Sequence, residues 1–232
     1  HYKEPEQLKG KDVLVVGIGN SAVDIACEAA RLHTGKVVIS TRSGAYITPN
    51  WIWSLPFDDL ANPLTAKLPL WLQRKLLSMA LWLAHGKQED YGVPTPKRPL
   101  LSEHPTLSQD LLSVAGRGLI SFKPNIKEFR GKTVVFDDGT EQGFDIIVYA
   151  TGYKVSFPFL KHIPAFDVEE TNHIELYRRV IHPDYRSLFF LSLIQPLGAI
   201  MPLAEVQSKW VAHLIKGTCK LPPKIEMEVA IK

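Results

Sequence analysis

Cysteine is scarce in this chain: Cys27 and Cys219 are the only two among 232 residues, and they form no CxxC pair. That argues against a disulfide scaffold or a thiolate metal centre, and against a flavin disulfide reductase, which needs a CxxC or its equivalent. Two isolated thiols fit a reducing compartment, so a cytoplasmic location is expected. The eight histidines are scattered without an H-E-x-x-H pattern, and no metal site is expected. Charge of one sign is also lacking. The formal net charge is +3, with no basic run and no basic–aromatic ladder, which argues against a nucleic-acid partner. No tyrosine is followed by lysine four residues on, so the Tyr-x-x-x-Lys of a short-chain dehydrogenase is missing. There is no signal-peptide pattern and no run of 18 uncharged apolar residues. Leu68–Ala84 comes nearest, interrupted by Gln73, Arg74 and Lys75. It is expected to be a helix buried against the rest of the protein. Trp71 and Trp82 make an interfacial helix the alternative.

What is present is an ordinary globular composition, 45% hydrophobic and 22% charged, with room for one large core or two modest domains. The most specific stretch is Lys11-Asp-Val-Leu-Val-Val-Gly-Ile-Gly-Asn-Ser-Ala-Val-Asp-Ile-Ala26. An apolar strand, Val13–Val16, runs into a G-x-G-x-x-A turn at Gly17, Gly19 and Ala22, and a helix follows. In a dinucleotide-binding turn the first glycine permits the tight bend and the second lets backbone approach a pyrophosphate. The third, small residue packs the helix on the strand, whose N-terminus then faces the phosphates.

The second strand is expected at Lys36-Val-Val-Ile-Ser-Thr-Arg42. An NAD site usually ends this strand with an acid on the ribose 2′-hydroxyl. Here the place holds Ser40, Thr41, Arg42 and Ser43. A guanidinium among hydroxyls suits a 2′-phosphate, so NADP is preferred over NAD. The alternative is an ordinary surface arginine.

From Gly44 to Ser102 prolines and tryptophans replace alternation, which predicts short helices and loops rather than sheet, and a functional role for so long an irregular stretch. Pro105–Arg117 reads as a helix. Ile120-Ser-Phe-Lys-Pro is extended, and Lys132–Phe136 with the Asp137-Asp-Gly-Thr turn predicts a hairpin. Phe144–Ala150 reads as a buried parallel strand stopping at Thr151-Gly-Tyr153. Ser187–Leu193 reads as another buried strand, leading through Gln195-Pro-Leu-Gly198 into a helix over 201–216. The fold class is α/β.

Taken in order, these landmarks resemble the flavin-containing monooxygenases. The matching residues are Gly17-Ile-Gly-Asn-Ser-Ala-Val-Asp24, Ser40-Thr-Arg-Ser-Gly-Ala45, Leu101-Ser-Glu-His-Pro-Thr-Leu-Ser-Gln109 and Lys123-Pro-Asn-Ile-Lys-Glu-Phe129. Ala150-Thr-Gly-Tyr153 with Phe157-Pro-Phe-Leu160 follows, then Leu193-Ile-Gln-Pro-Leu-Gly-Ala-Ile-Met-Pro202. The resemblance implies a Rossmann-like NADPH-binding domain over residues 1–148, followed at 149–232 by the C-terminal part of an FAD-binding domain. The family's earlier FAD fingerprint does not occur in this chain. Of the motif F-x-G-x-x-x-H-x-x-x-Y/F only the terminal aromatic is matched, by Tyr2, which favours the N- and S-oxidising branch over the Baeyer–Villiger branch. The chain thus resembles the C-terminal half or so of such an enzyme.

The implied activity is NADPH- and FAD-dependent oxygenation of a soft nitrogen or sulfur, in a small-molecule amine or sulfide, with O₂ by way of a C4a-hydroperoxyflavin. The reactive groups are the cofactor's, which is consistent with the lack of any visible catalytic pair or triad. By the same resemblance Gly17, Gly19 and Ala22 form the NADP phosphate turn, Ala22 replacing the commoner Gly. Asn20 and Ser21 reach the pyrophosphate or nicotinamide side, with helix capping as the alternative use. Thr41, Arg42 and Ser43 hold the 2′-phosphate. Thr151 and Gly152 mark the crossover between domains near both cofactors, and Gln195, Leu197 and Gly198 approach the flavin. For Gln195 a loop amide bonded to backbone is the alternative, and Asp24 is expected to be structural. The rival function is a non-catalytic NADP-binding fragment or interaction module. Peripheral membrane contact and a homo-oligomer stay compatible with the sequence.

Overall fold

Every residue of β1 (Val13–Val16) is apolar, so both faces of this strand need a cover. The computed structural model, which describes residues 2–32, 35–60, 62, 64–196 and 198–231, shows what supplies it. Two compact units make up the chain, His1–Gly152 and Tyr153–Lys232.

In the first unit β1 passes through the glycine turn into α1 (Asn20–Arg31) and β2 (Val37–Ser40). An irregular stretch follows, carrying the two-residue strands β3 (Ile47–Thr48), β4 (Trp51–Ile52) and β5 (Leu55–Pro56). It continues with the long helix α2 (Leu70–His85) and the short strand β6 (Thr106–Leu107). Helix α3 (Leu111–Gly116) and β7 (Ser121–Lys123) lead back to the main sheet. Then come a meander, β8 (Ile126–Arg130), β9 (Thr133–Phe136) and β10 (Glu141–Gly143), and finally β11 (Ile146–Tyr149). The main sheet is parallel throughout, in the order β11-β1-β2-β7.

Alternation along the strands sorts the core into two layers. Val13, Val15, Val37 and Ile39 pack with Ala22, Val23 and Ala26 of α1 and Leu111 of α3. Leu14 and Val38 point the other way, onto Val134 and Phe136 of β9 and onto Phe144. The fold is therefore α/β, a parallel sheet between helices on one face and an antiparallel meander on the other.

Four expectations for the first unit are corrected here. The helix expected over 105–117 shrinks to α3, because Thr106 and Leu107 pair in parallel with Ile47 and Thr48 and the Ser108 hydroxyl then accepts the Leu111 N–H at 3.1 Å. The 44–102 stretch, expected to avoid sheet, forms β3, β4 and β5. The strand at 146–149 is parallel to β1 but lies at the sheet edge, half-buried, with Tyr149 64% exposed. Helix α2 is not buried. Leu81 is its one buried residue among those described, while Trp71 and Trp82 are 66% and 58% exposed. Only the stripe containing Leu77 and Leu81 meets the small cluster around Ile52 and Leu100. No helix among the described residues is long and apolar enough to cross a membrane.

The second unit holds α4 (Ile200–Ile215) and α5 (Lys224–Ile231). An aromatic group centred on Phe166, with Tyr185, Phe190 and His182 around it, supplies one core. Val180 and Ile181, fully buried, form another with Val211 of α4. The strand expected over 187–193 is not formed: Phe189 makes one isolated bridge to Ile181, and no ladder. A strand needs a continuous backbone partner, and among the described residues that bridge is this segment's one strand-type pairing.

Candidate functional site

The glycine turn is built by the ends of three strands. Gly17 donates its N–H to the Ser40 carbonyl at 2.9 Å, and Ala150 donates to the Val16 carbonyl at 2.9 Å. Gly17 has φ +119°, and a Cβ there would sit 2.5 Å from the Ala150 carbonyl oxygen. Its bare backbone is thus required by the neighbouring strand end. Gly19 is different. It adopts φ −76° and ψ 176°, which any residue can take, and a Cβ would meet nothing within 4 Å. No atom of the described residues explains the glycine; open space above it leaves room for a ligand to approach the backbone.

Behind that opening α1 begins. Gly19 caps it without a side-chain bond, and the first helical bond is Val23 N–H to the Gly19 carbonyl at 3.0 Å. The amides before Val23 therefore lack intrahelical acceptors, and they sit at the positive end of the helix dipole. Asn20 and Ser21 are exposed there, whereas Ala22 is fully buried and lets the helix lie on the sheet.

Beside the turn, β2 ends in the hydroxyl-rich stretch. Ser40 donates to the Pro124 carbonyl at 2.7 Å, and the Thr41 hydroxyl accepts the Gly44 N–H at 3.1 Å. Thr41 is buried and its oxygen shapes the loop, so the loop holds Arg42 exposed beside half-buried Ser43. Arg42 has no ion pair among the described residues; the nearby Arg98 is held by Glu103. A cation left unpaired at this strand end is suited to a phosphate.

Thr151 and Gly152 follow Ala150 and are exposed, directly beyond the point where Ala150 crowds Gly17. In the second unit Gln195 is exposed. Leu197 lies outside the described residues. Helix α4 starts at Ile200, capped by Ala199 without a side-chain bond. Its Gln207 reaches back to accept the Ser192 N–H at 2.9 Å, bracing the loop before Gln195.

Some residues of the site carry little signal in sequence. Tyr2 is fixed by donating its hydroxyl to Glu28 of α1 at 2.6 Å; burial, then the Glu28 carboxylate, raises its pKa. Gln88, buried inside the 44–102 stretch, accepts the Ile47 N–H and donates to the Ala45 and Pro94 carbonyls. Thr106 bonds the glycine turn itself, donating to the Ile18 carbonyl at 2.6 Å. The only sequence cue for Thr106 is its place in the Leu101–Gln109 stretch, and for Gln88 there is none.

Residues 1–232 match the family described as flavin-binding monooxygenase-like. The chain belongs to this family. Among relatives of this flavin-binding monooxygenase-like chain, "Dimethylaniline monooxygenase [N-oxide-forming] 2" of Rattus norvegicus is 37% identical over 97% of the chain. "Flavin-containing monooxygenase 3" of Homo sapiens is 36% identical over 97% of it. The alignment takes in 43% of either relative, so the chain spans well under half the length of the curated proteins it matches. Among solved structures, S-allyl-L-cysteine S-oxygenase from Allium sativum superposes with TM-score 0.59 at 24% identity, covering 99% of this chain and 38% of that one. A flavin monooxygenase from Stenotrophomonas maltophilia gives TM-score 0.60 at 15% identity, over 94% and 54%. At these identities the two structures establish the shared fold.

Proposed function

We propose that the chain supplies the NADPH-binding part of an FAD- and NADPH-dependent monooxygenase that oxygenates soft nucleophilic nitrogen or sulfur in small amines or sulfides. The observation that carries this reading is Gly19: a glycine with ordinary backbone angles and empty space where its side chain would be, at the N-terminus of a dipolar helix. A pyrophosphate fits that opening. Arg42, exposed just past β2 and without an ion pair among the described residues, is placed to select the 2′-phosphate of NADPH, with Ser43 beside it. Asn20 and Ser21 donate to the phosphates or the nicotinamide side, and Gly17 and Ala22 hold the turn's shape.

The flavin, when bound, supplies the electron acceptance from NADPH and the activation of O₂. This chain's contribution to holding it is assigned to Thr151, Gly152, Gln195 and Leu197, with residues 149–232 as the C-terminal part of the FAD domain and 1–148 as the NADPH domain. Nitrogen is favoured as the oxygenated atom because relatives at 37% identity include N-oxide-forming enzymes, and sulfur is kept beside it on the sequence resemblance. Cyclohexanone monooxygenase, at 15% identity, shares the fold only. A cytoplasmic setting belongs to the same proposal and is supported by two free cysteines.

Calorimetry on the purified chain with NADPH, NADH and FAD tests the reading. NADPH binds more tightly than NADH, and Arg42→Ala erases roughly 10- to 100-fold of that preference, the loss of a charge-assisted phosphate contact. Equal binding of the two nucleotides by the wild type would remove the role given to Arg42. If FAD binds as well, turnover with an amine and a sulfide follows. Tight NADPH binding without flavin shows an intact NADPH-binding domain, and binding of neither nucleotide overturns the reading.

A further inference from the structure

Thr106 is 3% exposed, and its hydroxyl bond to Ile18 crosses 88 residues of sequence. The next residue repeats the pattern, with the Leu107 N–H donating to Asn20 Oδ1 at 3.0 Å. Both acceptors belong to the glycine turn. The Ile18 carbonyl and the Gly19 N–H share one planar peptide, so fixing the oxygen on one side fixes the direction of the amide on the other. Leu107 occupies Asn20 Oδ1, so the end of that side chain left for a ligand is its NH₂, a donor.

The donors are themselves anchored. Thr106 N–H bonds the Tyr46 carbonyl and Ser108 N–H the Thr48 carbonyl, each at 2.9 Å. The Thr48 hydroxyl adds a bond to the Thr106 carbonyl at 3.4 Å. This β3–β6 clasp follows within a few residues of Arg42, so one small sheet fastens the pyrophosphate turn to the 2′-phosphate stretch.

We propose that Thr106 is a positioning residue for dinucleotide binding: through the Ile18 carbonyl it aims the Gly19 amide, and with Leu107 it presents Asn20 as a hydrogen-bond donor. The proposal rests on the NADPH reading, and Thr106 itself touches no nucleotide.

The test compares Thr106→Val, Thr106→Cys and Thr106→Ser in the 232-residue chain. Amide NMR reads the turn without ligand, and calorimetry reads NADPH and NADH. In Thr106→Val the amides of Ile18–Ser21 shift and exchange faster. Both nucleotides weaken by roughly ten-fold, the loss expected when one buried hydrogen bond is removed. Their ratio stays at the wild-type value, unlike that of Arg42→Ala. Serine restores both readouts, and cysteine, a weak donor of similar size, is intermediate and serves if valine does not fold. Wild-type amides at 18–21 and wild-type affinities in the folded valine or cysteine variant, with a lowered melting temperature alone, would overturn the proposal. If the wild type binds neither nucleotide the NADPH reading fails. The amides still decide whether Thr106 sets the turn.

Discussion

Gly17 and Gly19 stand two residues apart in one turn and are glycine for different reasons. Gly17→Ala forces a Cβ against the Ala150 carbonyl in a left-handed backbone, so it lowers stability by about 2–4 kcal/mol through strain and overpacking. Gly19→Ala has neither problem and changes stability by less than about 1 kcal/mol, the cost of a poorer cap. NADPH affinity nevertheless falls in Gly19→Ala, because the added methyl fills the approach to the helix amides. Urea denaturation and calorimetry on the two variants separate the effects; a strongly destabilised Gly19→Ala would contradict the open space seen above it. Cys27 offers a second contrast. Burial, and then the nearby Asp110 carboxylate, push its thiol up to about 11. The thiolate is the reactive form, so reactivity grows only as pH rises toward that value. At pH 8 iodoacetamide labels half-exposed Cys219 well before Cys27, and mass spectrometry shows Cys27 labelling once the protein is unfolded.

At the scale of elements, helix α2 was legible in its existence and misread in its setting. Its periodicity and length are those of a helix, but leucine and tryptophan lie nearly all around it, and hydrophobicity alone does not say which stripe finds a partner. The structure selects the Leu77 and Leu81 side. Leu81→Ala should therefore cost about 2–3 kcal/mol through the cavity it leaves. Trp71→Gln and Trp82→Gln should change stability by less than about 0.5 kcal/mol, as exposed positions do. Equilibrium denaturation of the three variants checks the difference. Strand β6 shows the opposite limit. Leu107, Leu111 and Leu112 look helical by spacing, yet Thr106 and Leu107 are drawn into a parallel pair with Ile47 and Thr48, a contact across some sixty residues that no local window contains.

At the scale of the molecule, the compact first unit runs to Gly152, since β11 pairs along its length with β1 and Ala150 still bonds Val16. The residues just beyond are exposed, Tyr153 by 91%, with no regular secondary structure around Lys154. Limited trypsin digestion should cut first after Lys154 and leave a resistant N-terminal fragment, as exposed irregular segments between compact units do. Survival of that bond while sites within 1–152 are cut would argue against two separate units.

By itself the sequence determined the β1–turn–α1–β2 unit, the 133–143 hairpin, the long C-terminal helix and the place of the glycine turn, because short-range periodicity, glycine geometry and turn chemistry act within a dozen residues. Only the tertiary structure decided which face of α2 is covered, that 187–193 lacks a strand ladder, that Gln88 ties the 45–47 stretch to Pro94, and that Thr106 bonds the turn. Those outcomes depend on which distant backbone groups come within hydrogen-bonding and packing distance, and that is set by the fold as a whole.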